Sequence, residues 1–187
     1  YQSWQRAAAP LAERSQLELV HSESYLDMVF DVTGDADEPA PLDADTWASK
    51  RGYECASRAA GGACLAVDMV MENKASTAFS LMRPPGHHAE PEQAMGFCLF
   101  SSAAIAARHA QQKWGLNRIA VIDFDVHHGN GTQACFWNDG SLFYASSHQM
   151  PLFPGTGAYD ETGAYQNIFN LPLAYGTGGS SIRSGWR

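Results

Sequence analysis

The sequence lacks several features that would each assign it to a broad class. No run of apolar residues is long enough to cross a membrane, and no segment has the composition of a signal peptide. Positive charge is scarce, with 12 Lys and Arg against 20 Asp and Glu and a formal net charge of -8. An acidic surface repels phosphate groups. We therefore expect no membrane association, no direct nucleic-acid partner and a cytoplasmic location.

Cysteine is also rare, and the common nucleophile motifs are missing. The sequence has no GxSxG motif, no Walker pattern and no recognisable Cys–His arrangement. No CxxC pair occurs, which favours free thiols in a reducing cytoplasm. The four cysteines are Cys55, Cys64, Cys98 and Cys135.

The chain does have 187 residues, 45% of them hydrophobic, which is enough for one domain with a sizeable core. Its patterns predict a helical region over 1–30, a loop at 31–44, helices near 46–72, 97–114 and 132–139, and strands near 76–82, 119–122, 142–146 and 168–173. Strands that alternate with helices indicate an α/β fold with a mainly parallel sheet. The chain begins without Met and stops where SIRSGW begins to look helical, so we expect an incomplete domain, truncated at both ends.

The most informative stretch is RIAVIDFDVHHGNGTQ at 118–133. Its apolar run IAVI predicts a strand that is buried on both faces. Because side chains alternate along a strand, Asp123, Asp125 and His127 would share one face at its end. Buried carboxylates need a compensating positive charge, and a metal ion is the simplest candidate. A structural Asp–His hydrogen bond is the alternative interpretation of the D-x-H pair.

A second histidine-bearing motif is RPPGHHA at 83–89. The two prolines and the glycine predict a rigid turn that presents His87 and His88 to a single pocket. Two imidazoles beside a metal could transfer a proton, since histidine titrates near neutral pH. Asp123 and Asn130 are available to orient the two rings. The alternative is a pair of surface histidines, which the rigid frame disfavours.

Aromatic residues beside glycines occur in two predicted loops, MGF at 95–97 and LFPG at 152–155. Glycine next to an aromatic ring lets a narrow ligand approach the backbone closely. Phe97 and Phe153 are thus candidates for the walls of a ligand site, although core packing explains them equally well. Three further histidines have no motif partner and are interpreted as structural: His21, His109 and His148.

Taken together, RPPGHHAEPEQAMGFC, VIDFDVHHGNGTQ, SSHQMPLFPGTG and NLPL resemble the histone deacetylase superfamily. The HGNGTQ form is similar to class II and bacterial members, which include acetylpolyamine amidohydrolases and acetoin-utilisation-type proteins. The resemblance extends from about Leu19 to the end of the chain. It implies a three-layer arginase/deacetylase-like fold, of which residues 1–187 would be the N-terminal and central part of a single catalytic domain.

The resemblance also implies roles for the motif residues. Asp125 and His127 match two ligands of a Zn²⁺ ion, and His87 and His88 match the proton-transfer pair. The remaining matches are Asp123 as the partner of His87, Asn130 as the partner of His88 where class I members have aspartate, and Gly96, Phe97 and Phe153 as walls of an acyl-lysine tunnel. A structural monovalent cation such as K⁺ would be bound by Asp123, Asp125, His127, Ser146 and Ser147.

The sequence departs from the family pattern in three places. The third zinc ligand, an aspartate in a SAGFD-type motif, and the transition-state tyrosine, in a GGY-type motif, have no match, and Ser101-Ser102 replaces the usual asparagine-containing pair. A zinc site with two ligands is weak. We therefore expect zinc-dependent removal of acyl groups from acetyl-lysine peptides, acetylated polyamines or small amides by the parent enzyme, and an inactive 187-residue chain that forms homodimers.

Two other functions fit the same residues. One is an arginase-like manganese ureohydrolase, which would need more aspartates in D-x-D and D-x-H motifs and fits the HH pair poorly. The other is a non-catalytic protein that binds acylated lysine. Metal content separates the first from a zinc hydrolase, and zinc-independent binding of an acetyl-lysine peptide would favour the second.

Overall fold

The computed structural model describes residues 4–34 and 38–187, so three residues of the predicted 31–44 loop and the first three of the predicted helical region lie outside the described residues. The helices are α1 (Arg14–Leu17), α2 (Glu23–Gly34), α3 (Gly52–Met71), α4 (Ser102–Trp114), α5 (Asn130–Phe136) and α6 (Gly179–Gly185). The strands are β1 (Ala40–Pro41), β2 (Trp47–Ala48), β3 (Ile119–Asp123), β4 (Leu142–Gln149) and β5 (Ile168–Leu173).

Strands β3, β4 and β5 form a parallel sheet in that order, and β1 and β2 form a small antiparallel pair. The α/β class with a parallel sheet, predicted from the alternation of strands and helices, is confirmed. The register places Asp123 of β3 opposite Ser146 of β4, which in turn lies opposite Asn170 of β5. Polar side chains of three strands therefore meet at the carboxyl edge of the sheet, where ligands bind in open parallel sheets.

Strand β3 lies at an edge of this sheet, and the prediction that it is buried on both faces is wrong. Ile122 is 51% exposed, whereas Leu142 and Tyr144 of the central strand β4 are fully buried. A strand that pairs on one side only leaves half of its backbone groups and one flank in solvent. An apolar run of this kind predicts a strand but does not specify its position in the sheet.

The strand predicted at 76–82 is also absent from the described residues. A strand exists only where its backbone pairs with a neighbour, and here Phe79 and Leu81 are 72% and 79% exposed. Ser80 and Met82 form one wall of a groove of about 710 Å³, and Val121 and Ile122 of β3 form part of the other. The predicted homodimer is untested by these contacts and stays a prediction.

Two predicted helices begin later than their sequence patterns suggested, at Gly52 and Ser102 instead of 46 and 97. The side chain of Thr46 caps no helix; its Oγ1 accepts the backbone N–H of Phe97 at 3.0 Å. Phe97 itself has a positive φ of 66°, which ends any helical path through that residue. The residues at the two predicted helix starts, Thr46 and Phe97, are therefore hydrogen-bonded to each other.

The buried apolar side chains form two clusters. One joins α1, α2 and α3, and the other joins α4 and α5 to β4 and β5. Inside α3, Gly61 lies against the backbone of the N-terminal segment, where an added Cβ would come within 2.6 Å of the nitrogen of Ala12. Gly61 is therefore a position of close packing between α3 and the N-terminal segment. All four cysteines are free thiols.

None of the helices in the described part of the chain combines the length and the apolar character that crossing a membrane requires.

Candidate active site

Three chain segments meet at the carboxyl end of β3. They are the 83–89 loop with His87 and His88, the 123–128 segment, and the first turn of α5. The backbone N–H of Thr132 donates to the carbonyl of His87 at 3.1 Å, so the loop and the helical turn are in direct contact. The ring centroids of His87 and His88, called here the imidazole pair, are 4.0 Å apart. The two rings therefore lie side by side, and the prediction that both face a single pocket stays a prediction.

His87 is oriented by a carboxylate. Its Nδ1 lies 3.0 Å from Oδ2 of Asp123, and because an ionised carboxylate only accepts, Nδ1 is the protonated nitrogen and Nε2 is left free. Burial acts to lower the pKa of His87, but the hydrogen bond and the charge of Asp123 outweigh it, and the pKa lies above its ordinary value. Burial likewise acts to raise the pKa of Asp123, and the bond from His87 outweighs it, so that pKa is lowered.

His88 is oriented by a neutral amide. Its Nδ1 lies 2.9 Å from Oδ1 of Asn130, and the amide cannot be reversed because its Nδ2 donates to Glu90 at 2.7 Å. Nδ1 of His88 is therefore the donor, and its Nε2 is free to accept a proton. Burial, together with the charge of His87, lowers the pKa of His88. Two adjacent imidazoles thus have pKa values displaced in opposite directions, a common arrangement of acid and base groups.

Glycine is required where the backbone passes beneath this pair. A Cβ on Gly129 would lie 2.6 Å from the hydroxyl of Tyr144 and would collide with the carboxylate of Asp123. The Tyr144 hydroxyl donates to Asp123 at 3.0 Å and accepts the N–H of Gly129 at 3.1 Å. Asp123 is thereby fixed by β4 as well as by its own strand.

The D-x-H pair lies just beyond β3, which ends at Asp123, so strand alternation does not position it. Instead, the N–H of Asp125 donates to Oδ1 of Asp123 at 3.1 Å, and the N–H of His127 donates to Oδ1 of Asp125 at 2.8 Å. These successive i, i+2 bonds are side-chain turns of the kind that Asp favours. The neighbouring Phe124 and Val126 are 83% and 53% exposed.

Asp125 and His127, called here the metal pair, each direct one atom that could bind a metal toward the other residue. Nδ1 of His127 lies 3.2 Å from Oδ1 of Asp125, which is the Asp–His hydrogen bond of the alternative interpretation. The same separation fits a shared ion, since two atoms at ~2.0–2.1 Å from a tetrahedral zinc are ~3.3 Å apart. Their side chains are 49% and 40% exposed. Within residues 4–34 and 38–187, no group of three or more His, Cys, Asp or Glu is arranged to bind a metal.

The residues matched to a monovalent-cation site surround the same strand ends. Ser146 and Ser147 are buried, and Asp123 pairs with Ser146 in register. Nε2 of His148 donates to the carbonyl of Gly157, so Nδ1 of His148 is the acceptor and the Ser146 hydroxyl is the donor, at 2.9 Å. The lone pairs of the Ser146 oxygen are then available to a cation.

The residues matched to a substrate tunnel lie beside His88. The Phe153 ring meets the His88 ring edge-to-face, with centroids 5.0 Å apart, and its centroid is 6.2 Å from that of His127. Gly96 packs directly on the His88 ring, where a Cβ would lie 2.7 Å from Cγ. Phe97 is 63% exposed on the same turn. Phe153 and Gly96 therefore contact the imidazole pair, and Phe97 lies at the rim.

Several site residues were not found from the sequence. Glu90 fixes the amide of Asn130, and Tyr144 fixes Asp123. A signal for Glu90 was its position in the same motif, two residues after His88. Tyr144 alternates in phase with Ser146 along β4, which places both side chains on the same face of the sheet as Asp123, the register partner of Ser146. His21 and His148 are buried and hydrogen-bonded, in agreement with a structural role.

Comparison with known proteins follows the same motifs. The sequence profile of the histone deacetylase domain matches residues 2–185. A histone deacetylase-like amidohydrolase of Pseudomonas aeruginosa is 41% identical over 179 residues, covering 93% of this chain and 46% of that protein. A probable deacetylase of Methanothermobacter thermautotrophicus is 44% identical over 148 residues, covering 78% of this chain and 44% of that protein.

A solved structure shows the same architecture. The crystal structure of the HDA15 HD domain superposes with a TM-score of 0.84 at 35% identity, covering 89% of this chain and 48% of that one. The arginase/deacetylase-like α/β fold predicted from the motifs is confirmed. The chain spans about half the length of the curated relatives it matches. On the profile match and the shared fold, the chain belongs to the histone deacetylase superfamily, a family of deacetylases and amidohydrolases.

Proposed function

We propose that this chain is the N-terminal and central part of a cytoplasmic, zinc-dependent amidohydrolase that removes acetyl or other acyl groups from amines. The proposal depends mainly on one observation. Two adjacent imidazoles have their Nδ1 atoms engaged by separate partners, Asp123 and Asn130, and their Nε2 atoms free, beside the metal pair. Such a site can transfer protons to and from a polarised amide.

The residues of the metal pair fit zinc by ligand type and separation. Asp125 and His127 would be two of its protein ligands, with a further ligand supplied from beyond the described residues. Zinc supplies Lewis acidity when bound, which polarises a carbonyl and makes water a better nucleophile near neutral pH. The lone pairs of Ser146 and the carboxylate of Asp123 would help to bind a structural K⁺ ion.

The protein side of the reaction follows from the hydrogen bonds. His88, whose partner is neutral, takes a proton from the attacking water at Nε2 and returns it to the leaving amine. His87, whose pKa is raised by Asp123, would stabilise the negative charge that develops on the oxygen of the acyl group. Asn130 prevents rotation of the His88 ring, so that Nε2 stays directed at the reacting atoms.

The substrate would be an acyl amide at the end of a narrow chain. Phe153 and Gly96 line the approach to His88, and an extended acyl-lysine or acylated polyamine fits between such apolar walls. Competition between an acetyl-lysine peptide and acetylputrescine would rank the two classes.

The direct test joins residues 1–187 to the part of the Pseudomonas aeruginosa amidohydrolase that lies beyond its matched region. We expect this chimera to hydrolyse an acetyl-lysine peptide and His88→Ala to reduce the rate by ~10²–10⁴-fold. The matched control is His109→Gln, a buried histidine that contacts Asp68 and Gln16 outside the site. A His88→Ala chimera as active as the control would reject the assignment. The 187-residue chain alone should be inactive.

A second function has one observation in its favour. Among the described residues, no group of three or more His, Cys, Asp or Glu is arranged to bind a metal ion. A chain of this kind could bind acylated lysine without cleaving it. Binding of an acetyl-lysine peptide that is unchanged by EDTA, with no hydrolysis by the chimera, would support this candidate. Two bound manganese ions per chimera would instead indicate a ureohydrolase.

A further inference from the structure

A network of polar side chains connects α5 to the loop after β4 and has no part in the proposed reaction. Three of its members are buried, Gln133, Asn170 and His128, and Glu161 is half-buried. The centre of the network is Gln133 of α5, which is 6% exposed. The Gln133 Oε1 accepts from Nδ2 of Asn170 at 2.7 Å and faces Nε2 of His128 at 3.0 Å. The Gln133 Nε2 donates to Oε2 of Glu161 at 2.6 Å. The orientation of the Gln133 amide is therefore fixed: its oxygen faces Asn170 and His128, and its nitrogen faces Glu161.

Glu161 connects the network to a loop. Its carboxylate accepts the N–H groups of Gly157, at 3.0 and 3.1 Å, and of Ala158, at 3.0 Å. These two residues end the segment 151–158, called here the Phe153 segment. A second attachment comes from Thr156, whose hydroxyl lies 2.8 Å from Nδ1 of His128. Because Nε2 of His128 is the donor to Gln133, its Nδ1 accepts from Thr156.

The Phe153 segment carries the ring that contacts the imidazole pair. A loop of this length has no strand or helix of its own, so its position depends on the bonds at its ends. We propose that Glu161, acting through Gln133, is a positioning residue that fixes the Phe153 segment on α5 and so places the Phe153 ring against His88. The contact between Phe153 and His88 does not depend on the proposed function; only the description of Phe153 as a tunnel wall rests on it.

The donor and acceptor pattern makes the claim testable by exchange. In Glu161→Gln, the new amide can adopt two orientations. In one its NH₂ group faces the N–H groups of Gly157 and Ala158, and in the other it faces the NH₂ group of Gln133. In both orientations a donor faces a donor, which is unfavourable. In Gln133→Glu, two carboxylates meet. The double exchange Gln133→Glu/Glu161→Gln restores the pairing between the two side chains, since the new amide donates to the new carboxylate, which still accepts from Asn170 and His128. The Oε1 of the new amide still accepts from Gly157 and Ala158, and only the second contact of Gly157, at 3.1 Å, is lost. Rescue by the double exchange would identify the pairing itself as the cause.

The experiment uses the 187-residue chain and the proton resonances of the His88 ring, which sense the neighbouring phenyl ring. Phe153→Leu provides the reference spectrum without that ring. We expect each single variant to move the His88 resonances most of the way toward this reference, and the double exchange to return them. The matched control is Asp139→Asn, whose carboxylate fixes a different loop through Ser141 and Arg108 and should leave His88 unmoved.

Three outcomes would overturn the proposal: single variants with wild-type His88 resonances, a double exchange that fails to restore shifted ones, or an equal shift in Asp139→Asn. If a single variant does not fold, the double exchange alone tests the pairing. A folded double variant with wild-type His88 resonances supports the pairing, and an unfolded double variant rejects it. No step requires catalysis. In an active chimera the same variants should raise KM more than they lower kcat.

Discussion

The imidazole pair and the metal pair are neighbours in one site, with the rings of His88 and His127 5.9 Å apart, yet their surroundings differ. Each imidazole has a partner on another element, and that partner is fixed in turn by Tyr144 or Glu90. Asp125 and His127 are 49% and 40% exposed and bond mainly to each other and to their own backbone. This chain therefore fixes the two imidazoles through several elements, and Asp125 and His127 only through local bonds.

The largest effect should come from acid, because buried histidines resist protonation in the folded chain and acid therefore favours unfolding. Burial lowers the pKa of His21 to about 4, and burial with the charge of His148 lowers that of His128 to about 4. Below pH 6.5 the unfolded chain binds protons that the folded chain excludes. Each contribution is complete above pH 6.5 and is lost as the pH falls to 4, amounting to at most ~3 kcal/mol per histidine.

Urea unfolding at several pH values between 7.5 and 4.5 measures this slope. His21 donates to Pro91 and accepts from Ser101, so a second ring proton would face an N–H group. His21→Gln should lower stability at pH 7.5 but flatten the pH dependence. A variant with an unchanged slope would show that His21 is not the acid-sensitive group.

A pair of aspartate substitutions compares the two regions directly. Asp123→Ala leaves the Tyr144 hydroxyl and Nδ1 of His87 without an acceptor, and it should cost about 2–3 kcal/mol in the free energy of unfolding. Asp125→Ala removes a half-exposed carboxylate and should change that free energy by less than about 0.5 kcal/mol. Equal losses in urea unfolding would contradict the comparison.

A smaller change tests whether β4 contributes to the buried side. Tyr144→Phe removes one hydroxyl, together with its bonds to Asp123 and Gly129, and should cost about 1–2 kcal/mol. Tyr165→Phe is the matched control, because Tyr165 is 64% exposed. Thermal or urea unfolding of the two variants measures the difference in their free energies of unfolding. Equal free energies would show that the Tyr144 hydroxyl does not stabilise the fold.

The smallest effect concerns zinc. Because no group of three or more His, Cys, Asp or Glu among the described residues is arranged to bind a metal ion, we expect a dissociation constant of ~100 µM or weaker. At that affinity 100 µM zinc should stabilise the chain by less than ~0.4 kcal/mol. Titration calorimetry with zinc chloride measures this. His127→Ala should abolish what binding there is. Nanomolar affinity for the 187-residue chain would mean that the metal site is already complete.

The imidazole pair could be predicted from the sequence because its determinants are local. The PPG turn fixes the backbone beside His87, and the end of an apolar run fixes Asp123. The partners that stabilise this arrangement could not be found, since Tyr144 is 21 residues from Asp123 along the chain and Glu90 is 40 residues from Asn130. Glu90 stands in the same motif as His88, but the side chains that Glu90 and Tyr144 contact depend on register and packing.

The fold was predictable to the same extent. Alternating patterns predicted the parallel sheet, and the bounds of β5 agree with the predicted 168–173. The position of β3 at a sheet edge, and the lack of a strand at 76–82, depend on which backbone lies alongside each segment. Hydrophobic pattern reports the apolar character of a segment and not the identity of its neighbours.

The contact between Thr132 and the carbonyl of His87 has a mechanical consequence. Asn130, which orients His88, belongs to the same helical turn, so a rigid shift of α5 would carry both rings along with it. Thermal displacement of this unit leaves the spacing between the rings unchanged. Because His87 is bonded to Asp123 at the same time, such a shift would also strain the attachment of this unit to the end of β3.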